Sequence, residues 1–193
     1  MDRDLREARA TGRTLRGITL VELVVVMALV AILTTLAVPA LREIVARNQL
    51  ASLEQELFAS LTLARSEAIK RNQNVVLCPS ANGTSCAGNA RWWHQGWILF
   101  VDSNGNDTYD AGTDPPLLRA YAGSDVATIQ KNRITSNVRF LANGTARGDN
   151  GHFVFCARGN ATHPLYIVLA NSGRPYTTDT TPQGIDNPLT CGS

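Results

Sequence analysis

The chain has little net charge. In 193 residues, 18 Lys and Arg stand against 16 Asp and Glu, a formal balance of +2. That excludes a protein that grips nucleic acid through basic residues along its whole length. Four cysteines are too few for a disulfide-dense miniprotein. A hydrophobic share of 44% with 18% charged residues fits neither a disordered nor a collagen-like chain. Catalytic signatures are also missing. There is no P-loop and no dinucleotide fingerprint, and His94, His152 and His163 lie among loops without a Gly-x-Ser-x-Gly nucleophile. No paired Cys-x-x-Cys units or nearby histidine pair suggest zinc. Neither catalysis nor a cofactor is therefore expected. No repeat and no Pro/Gly/Ser-rich linker divides the soluble part.

Charge is scarcest from Ile18 to Leu41, where Glu22 is the one charged residue in 24. Ahead of it, Arg3, Arg6, Arg9, Arg13 and Arg16 face Asp2, Asp4 and Glu7. As a helix the apolar run would be about 36 Å long, enough to cross a hydrocarbon core of roughly 30 Å. A secretory signal would have only about 7–15 apolar residues and a small-residue cleavage site. A plain membrane anchor leaves Glu22 unexplained. An unpaired carboxylate in a spanning helix costs at least about 2.5–3.5 kcal/mol, and the helix dipole near its start returns about 0.3–1 kcal/mol. Cutting between Gly17 and Ile18 would create a cationic α-amine four residues from Glu22, on the same chain or on a packed neighbour.

Arg16-Gly17-Ile18-Thr19-Leu20-Val21-Glu22-Leu23 resembles the processing site of type IV prepilin-like proteins. The resemblance implies that a prepilin peptidase cuts after Gly17 and methylates Ile18. It also implies that Glu22, fifth in the mature chain, neutralises the amine of an adjacent subunit during assembly. Ile18 stands where phenylalanine is usual. The expected organisation is a cleaved leader at 1–17, a transmembrane helix at 18–41 and a periplasmic or extracellular head at 42–193. The chain would cross the bacterial inner membrane once, then enter a pilus or pseudopilus filament. Its expected partners are other major and minor pilin subunits, the peptidase and the inner-membrane assembly platform.

Pro39 removes one helix hydrogen bond and is expected to bend the helix without ending it. Leu50, Leu53, Leu57, Leu61, Ala64 and Ala68 then recur at three- and four-residue steps, so an amphipathic half is expected to pack on a sheet and end near 71–74. Short β-like runs follow at Asn74–Cys78, Gly96–Val101, Pro116–Tyr121, Arg133–Leu141, His152–Ala157 and Leu165–Ala170. The expected fold is α+β: one long N-terminal helix packed on antiparallel sheet, as in pilins. Arg65-Ser66-Glu67-Ala68-Ile69-Lys70-Arg71, Val75-Val76-Leu77-Cys78, Gly96-Trp97-Ile98-Leu99-Phe100-Val101-Asp102 and Asn171-Ser172-Gly173-Arg174 resemble the GspH/FimT/FimU group. That group holds minor pseudopilins of type II secretion and minor pilins of type IV pili, and the choice between the two machines stays open.

Three pairings of the four cysteines are possible. Cys78–Cys86, across a short polar loop, and Cys156–Cys191, tying the last strands to the tail, are the favoured pair in an oxidising periplasm. The chain-entropy account values them at roughly 2.6 and 3.8 kcal/mol. Asp102 to Asp110 places oxygens at alternating positions, as a calcium loop does, but Asp107 stands where glycine belongs and Thr113 where glutamate belongs. Asn and Asp are also what ordinary turns require, so a metal-free loop is expected. From Lys131 to Tyr176 the basic residues Lys131, Arg133, Arg139, Arg147, Arg158 and Arg174 face one acid, Asp149. That local excess can attract phosphate. FimT-type pilins of natural transformation carry Gly-Arg-x-Arg in this region. Here Gly173-Arg174-Pro175-Tyr176 keeps the first arginine and offers Tyr176 as a stacking surface in place of the second.

Overall fold

A computed structural model describes residues 17–89, 91, 93–132, 135–158, 160–182 and 191. One helix, α1 (Leu20–Arg71), is followed by eight strands: β1 (Asn74–Pro79), β2 (Gly96–Asp102), β3 (Arg119–Ala122), β4 (Ala127–Lys131), β5 (Val138–Phe140), β6 (Gly151–Ala157), β7 (Asn160–Leu169) and β8 (Pro175–Thr178). The chain divides into two compact units, one reaching as far as Arg42 and the other formed by Glu43–Ser193. α1 contributes to both.

α1 has a start and a stop that its sequence explains. Thr19 caps the first turn: its carbonyl accepts from the Leu23 N–H at 3.1 Å, and its hydroxyl accepts from the Glu22 N–H at 3.3 Å. Thr-x-x-Glu is the capping-box spacing, so Glu22 also suits the third helical position on local grounds. At the other end Asn72 adopts a left-handed conformation, φ 53°. The Gln73 N–H returns to the Ala68 carbonyl and the Asn72 N–H to the Ile69 carbonyl, both at 3.3 Å, which closes the helix in a Schellman arrangement. The helix continues through Pro39.

In the first unit, apolar side chains are exposed all along the helix, among them Leu20, Leu23, Val26, Leu29 and Leu33. Among the described residues no helix is long and apolar enough to cross a membrane.

In the second unit the helix stripe behaves as its spacing predicts. Leu50, Leu53, Leu57, Leu61, Ala64 and Ala68 are all buried and share a core with Leu99, Phe153 and Ile167, among others. Two antiparallel four-stranded sheets line that core, in the orders β3-β2-β1-β5 and β4-β6-β7-β8. The outer face of the first sheet is covered separately: Val76, Cys78, Ile98 and Phe100 pack under Cys86, Tyr109 and Leu117. On the second sheet Val154, Cys156 and Tyr166 pack with Cys191. The structure joins Cys78 to Cys86 and Cys156 to Cys191, each with Cα atoms 5.5 Å apart. Each disulfide thus pins a later segment of chain to the outer face of one sheet.

The expected strand at Arg133–Leu141 shrinks to Val138–Phe140, and β3 begins at Arg119 instead of Pro116. β4 and β8 were not expected. β4 alternates buried and half-buried residues, but the buried set is Ala127, Ile129 and Lys131, so the apolar period is hidden. β8 reads Pro-Tyr-Thr-Thr and is half-exposed at the sheet edge, where no apolar alternation is needed.

Candidate functional site

The residues expected to form a processing site, Gly17, Ile18 and Glu22, lie at the start of the described chain. A Cβ added to Gly17 would meet nothing within 4 Å, so among the described residues no crowding requires glycine there. Ile18 is 75% exposed. The Glu22 backbone is held by Thr19, while its side chain takes part in no ion pair among the described residues.

The basic residues expected to form one phosphate-binding surface do not stay together as surface charge. Lys131 is buried, and its ammonium donates to the carbonyls of Thr135 at 3.1 Å and Asn137 at 2.8 Å. It sits inward because its position on β4 faces the core and nearby carbonyls replace its water shell. Arg139 donates to both Asp107 oxygens, at 3.1 and 2.9 Å. Arg158 lies 3.7 Å from the Asp125 carboxylate. Arg133 falls outside the described residues. Arg147, Arg174 and Tyr176 are exposed, and neither arginine has an ion pair among the described residues.

Two tight turns precede those arginines in the chain, and Arg147 itself sits in a third, Ala146–Asp149, closed by an Asp149 N–H to Ala146 carbonyl bond of 3.2 Å. Leu141–Gly144 closes with a Gly144 N–H to Leu141 carbonyl bond of 2.7 Å, and Ala170–Gly173 with a Gly173 N–H to Ala170 carbonyl bond of 2.9 Å. The turns lie against each other: the Ala146 N–H donates to the Asn171 carbonyl at 3.1 Å. Gly144 and Gly173 have φ of 77° and 75°, and a Cβ on Gly173 would come within 2.0 Å of the Gly144 carbonyl oxygen. Glycine is required at both places, by backbone conformation and by close approach. Arg65 on α1 donates from Nε to that same Gly144 oxygen at 3.1 Å. Arg65 belongs to a local sequence motif, yet its bond to Gly144 is a contact across 79 residues that no local pattern reveals.

The loop after β2 uses its carboxylates on itself. Asp102 accepts from the backbone N–H groups of Gly105 at 2.7 Å, Asn106 at 3.2 Å and Asp107 at 3.1 Å. Asp114 accepts from Ser103 at 2.9 Å and Asp110 at 3.0 Å. The Asp110 carboxylate in turn accepts from the side-chain amides of Asn104 and Asn106, which hold it below the usual carboxylate range. Burial pushes Asp107 up, against the pull of Arg139. Oxygens that would face a cation are thus directed at donors. Among the described residues no group of three His, Cys, Asp or Glu side chains is placed to hold a metal.

His152 is fully buried on the outer face of the second sheet, with the Tyr166 ring 6.1 Å away. Neither of its ring nitrogens has a hydrogen-bond partner among the described residues, and burial lowers its pKa.

Residues 55–173 match the profile of the family described as Type II transport protein GspH, and residues 13–38 match the prokaryotic N-terminal methylation motif. A pilin-like protein of Thermus thermophilus, PilA1, is 37% identical over 103 residues, covering 52% of this chain and 57% of that one. The chain thus spans little more than half the length of this relative. Two crystal forms of the type IV minor pilin FimU of Pseudomonas aeruginosa share the fold, with TM-scores of 0.54 and 0.53 at 23% identity. They cover 71% and 69% of this chain, and 95% and 97% of their own chains. Members of the matched family are structural pilins, and the methylation motif is that of membrane-anchored subunits. A family profile that spans more than half the chain, a methylation motif at its start and a helix-on-sheets fold agree: the chain belongs to the GspH family and is a minor pilin or pseudopilin of the GspH/FimT/FimU kind.

Proposed function

We propose that the chain is a non-enzymatic minor pilin of a type IV pilus, acting in filament assembly near the tip. Prepilin peptidase removes residues 1–17 and methylates Ile18. The helix at 18–41 then holds the subunit in the bacterial inner membrane, with residues 42–193 as a periplasmic head. From there the assembly platform moves it into a filament with other pilin subunits.

The observation that carries this reading is the apolar helix start, exposed along residues 20–35 with no packing partner among the described residues of its own unit. A helix apolar on all faces needs an apolar surrounding, which lipid supplies first and neighbouring helices supply later. Gly17 adds support: its surroundings leave room for a side chain, so a narrow protease subsite accounts for glycine better than the chain's own packing does. The likeness to the pilin-like protein PilA1 and to the type IV minor pilin FimU favours a pilus. The alternative, a GspH-type minor pseudopilin of type II secretion, is favoured by the family's description. Deleting the gene separates them. Loss of surface pili with normal protein secretion supports the pilus, and the reverse supports the secretion machine.

A second reading adds DNA contact for natural transformation. Exposed Arg147, Arg174 and Tyr176 favour it, while Lys131, Arg139 and Arg158 are engaged by the protein's own groups. Contact would then be confined to the two turns. Duplex DNA titrated at several salt concentrations should show a shallow slope, about −2 for two phosphates neutralised.

A further inference from the structure

The two glycine turns repeat a short sequence. Leu141-Ala142-Asn143-Gly144 is followed by Arg147, and Leu169-Ala170-Asn171-Ser172-Gly173 by Arg174. Both follow a core strand, β5 and β7. The close approach of Gly173 to the Gly144 carbonyl makes one double turn of the two, and Arg65 holds the junction through Nε. Arg65 is half-buried and spends one of its five donors on Gly144; among the described residues it has no carboxylate partner. Asp149, the one acid between Lys131 and Tyr176, is buried and accepts from the Arg139 backbone N–H at 3.2 Å. Beside the junction, Ile69 leaves 49% of its surface exposed.

We propose that this double turn, with Arg65, Arg147 and Arg174, is a docking surface for a carboxylate-bearing segment of a neighbouring pilin subunit. The proposal rests on the filament reading and names what the head touches there. Three arginines with no ion pair among the described residues, beside two abutting turns, are complementary to a short acidic segment. Arg forks bind carboxylates in pairs of parallel hydrogen bonds, and exposed Ile69 offers apolar contact to the same segment. A duplex is a poorer match. Its phosphates recur about every 1.7 Å of axis and reward a track of cations. Here the described cations that would extend the track, Lys131, Arg139 and Arg158, are buried or paired, and Arg65 is half-buried.

The test uses the full chain in detergent micelles and a fluorescent hexaglutamate peptide, with short duplex DNA as a competing arm. Saturable peptide binding that weakens with salt is expected, together with a loss of roughly tenfold in affinity for Arg147→Ala with Arg174→Ala. The thermal unfolding of that double variant should match the parent. Absence of saturable binding, binding untouched by the double variant, or tighter binding of the duplex than of the peptide would each overturn the proposal. If the peptide fails while the chain is still recovered from sheared filaments, the docking surface alone is wrong. If the chain never enters filaments, the reading beneath it is wrong as well.

Discussion

The Trp97 indole N–H donates to the Ser60 hydroxyl at 3.0 Å, joining β2 to α1 inside the core. The Ser60 hydroxyl in turn donates to the Glu56 backbone carbonyl at 2.9 Å, and the Trp97 ring stacks on Tyr121 with centroids 4.2 Å apart. Both partners are fully buried, so the indole has no water to turn to. Ser60→Ala should therefore destabilise the head by about 1–3 kcal/mol, the cost of an unsatisfied buried donor. In a double-mutant cycle with Trp97→Phe, the second substitution should cost less than it does alone, a coupling of about 0.5–3 kcal/mol. Denaturant unfolding of the four proteins measures it; strict additivity would contradict the linkage.

The two disulfides should contribute unequally. Their sequence separations are 8 and 35, so the chain-entropy account favours Cys156–Cys191 by about 1 kcal/mol. Cys156→Ala with Cys191→Ala should lower the unfolding midpoint more than Cys78→Ala with Cys86→Ala. Non-reducing peptide mapping should recover both links and no crossed pair.

His152 makes stability depend on pH. Burial holds its folded pKa below the ordinary value of about 6.5, so the unfolded chain takes up the proton more readily. Stability should be unaffected by this group above about pH 6.5, fall as pH drops toward the folded pKa, and level off below it. Glu54 and Asp107 act in the opposite sense and in the lower carboxylate range, because burial raises both. His152→Leu removes the two ring nitrogens, which have no partner among the described residues, and should flatten the loss between about pH 7 and 5.5. Thermal unfolding at the two pH values tests it. An unchanged slope would place the sensitivity elsewhere.

The helix was legible because its period is local: six apolar residues at three- and four-residue steps specify one face wherever the partner lies. The N-terminal methylation motif was legible because charge, Gly17, Glu22 and the apolar run fall in one stretch. β4 was hidden by Lys131, whose buried stem and carbonyl-bound ammonium occupy a core position that sequence marks as polar. The basic surface was over-read for a related reason. A count of charges from Lys131 to Tyr176 cannot see that Asp107 and Asp125, earlier in the chain, come to Arg139 and Arg158. Nor can spacing show that Arg65 meets turns that come 79 and more residues later.

Glu22→Ala should keep the chain in the membrane, since it removes the one charge in the apolar run. It should still reduce the amount in filaments severalfold, because the incoming amine loses its counter-charge. Membrane and sheared-filament fractions, quantified by immunoblot, separate the two effects. Normal recovery in filaments would remove the electrostatic role given to Glu22.

The central claim, that this chain is cut after Gly17 and built into a filament, is met most directly by mass spectrometry of filaments sheared from cells. The account predicts an N-terminal peptide beginning with methylated Ile18, and its loss from the filament fraction in Gly17→Arg. An intact peptide reading through Arg16-Gly17-Ile18 in cells with active prepilin peptidase, or a chain absent from every filament fraction, would contradict it.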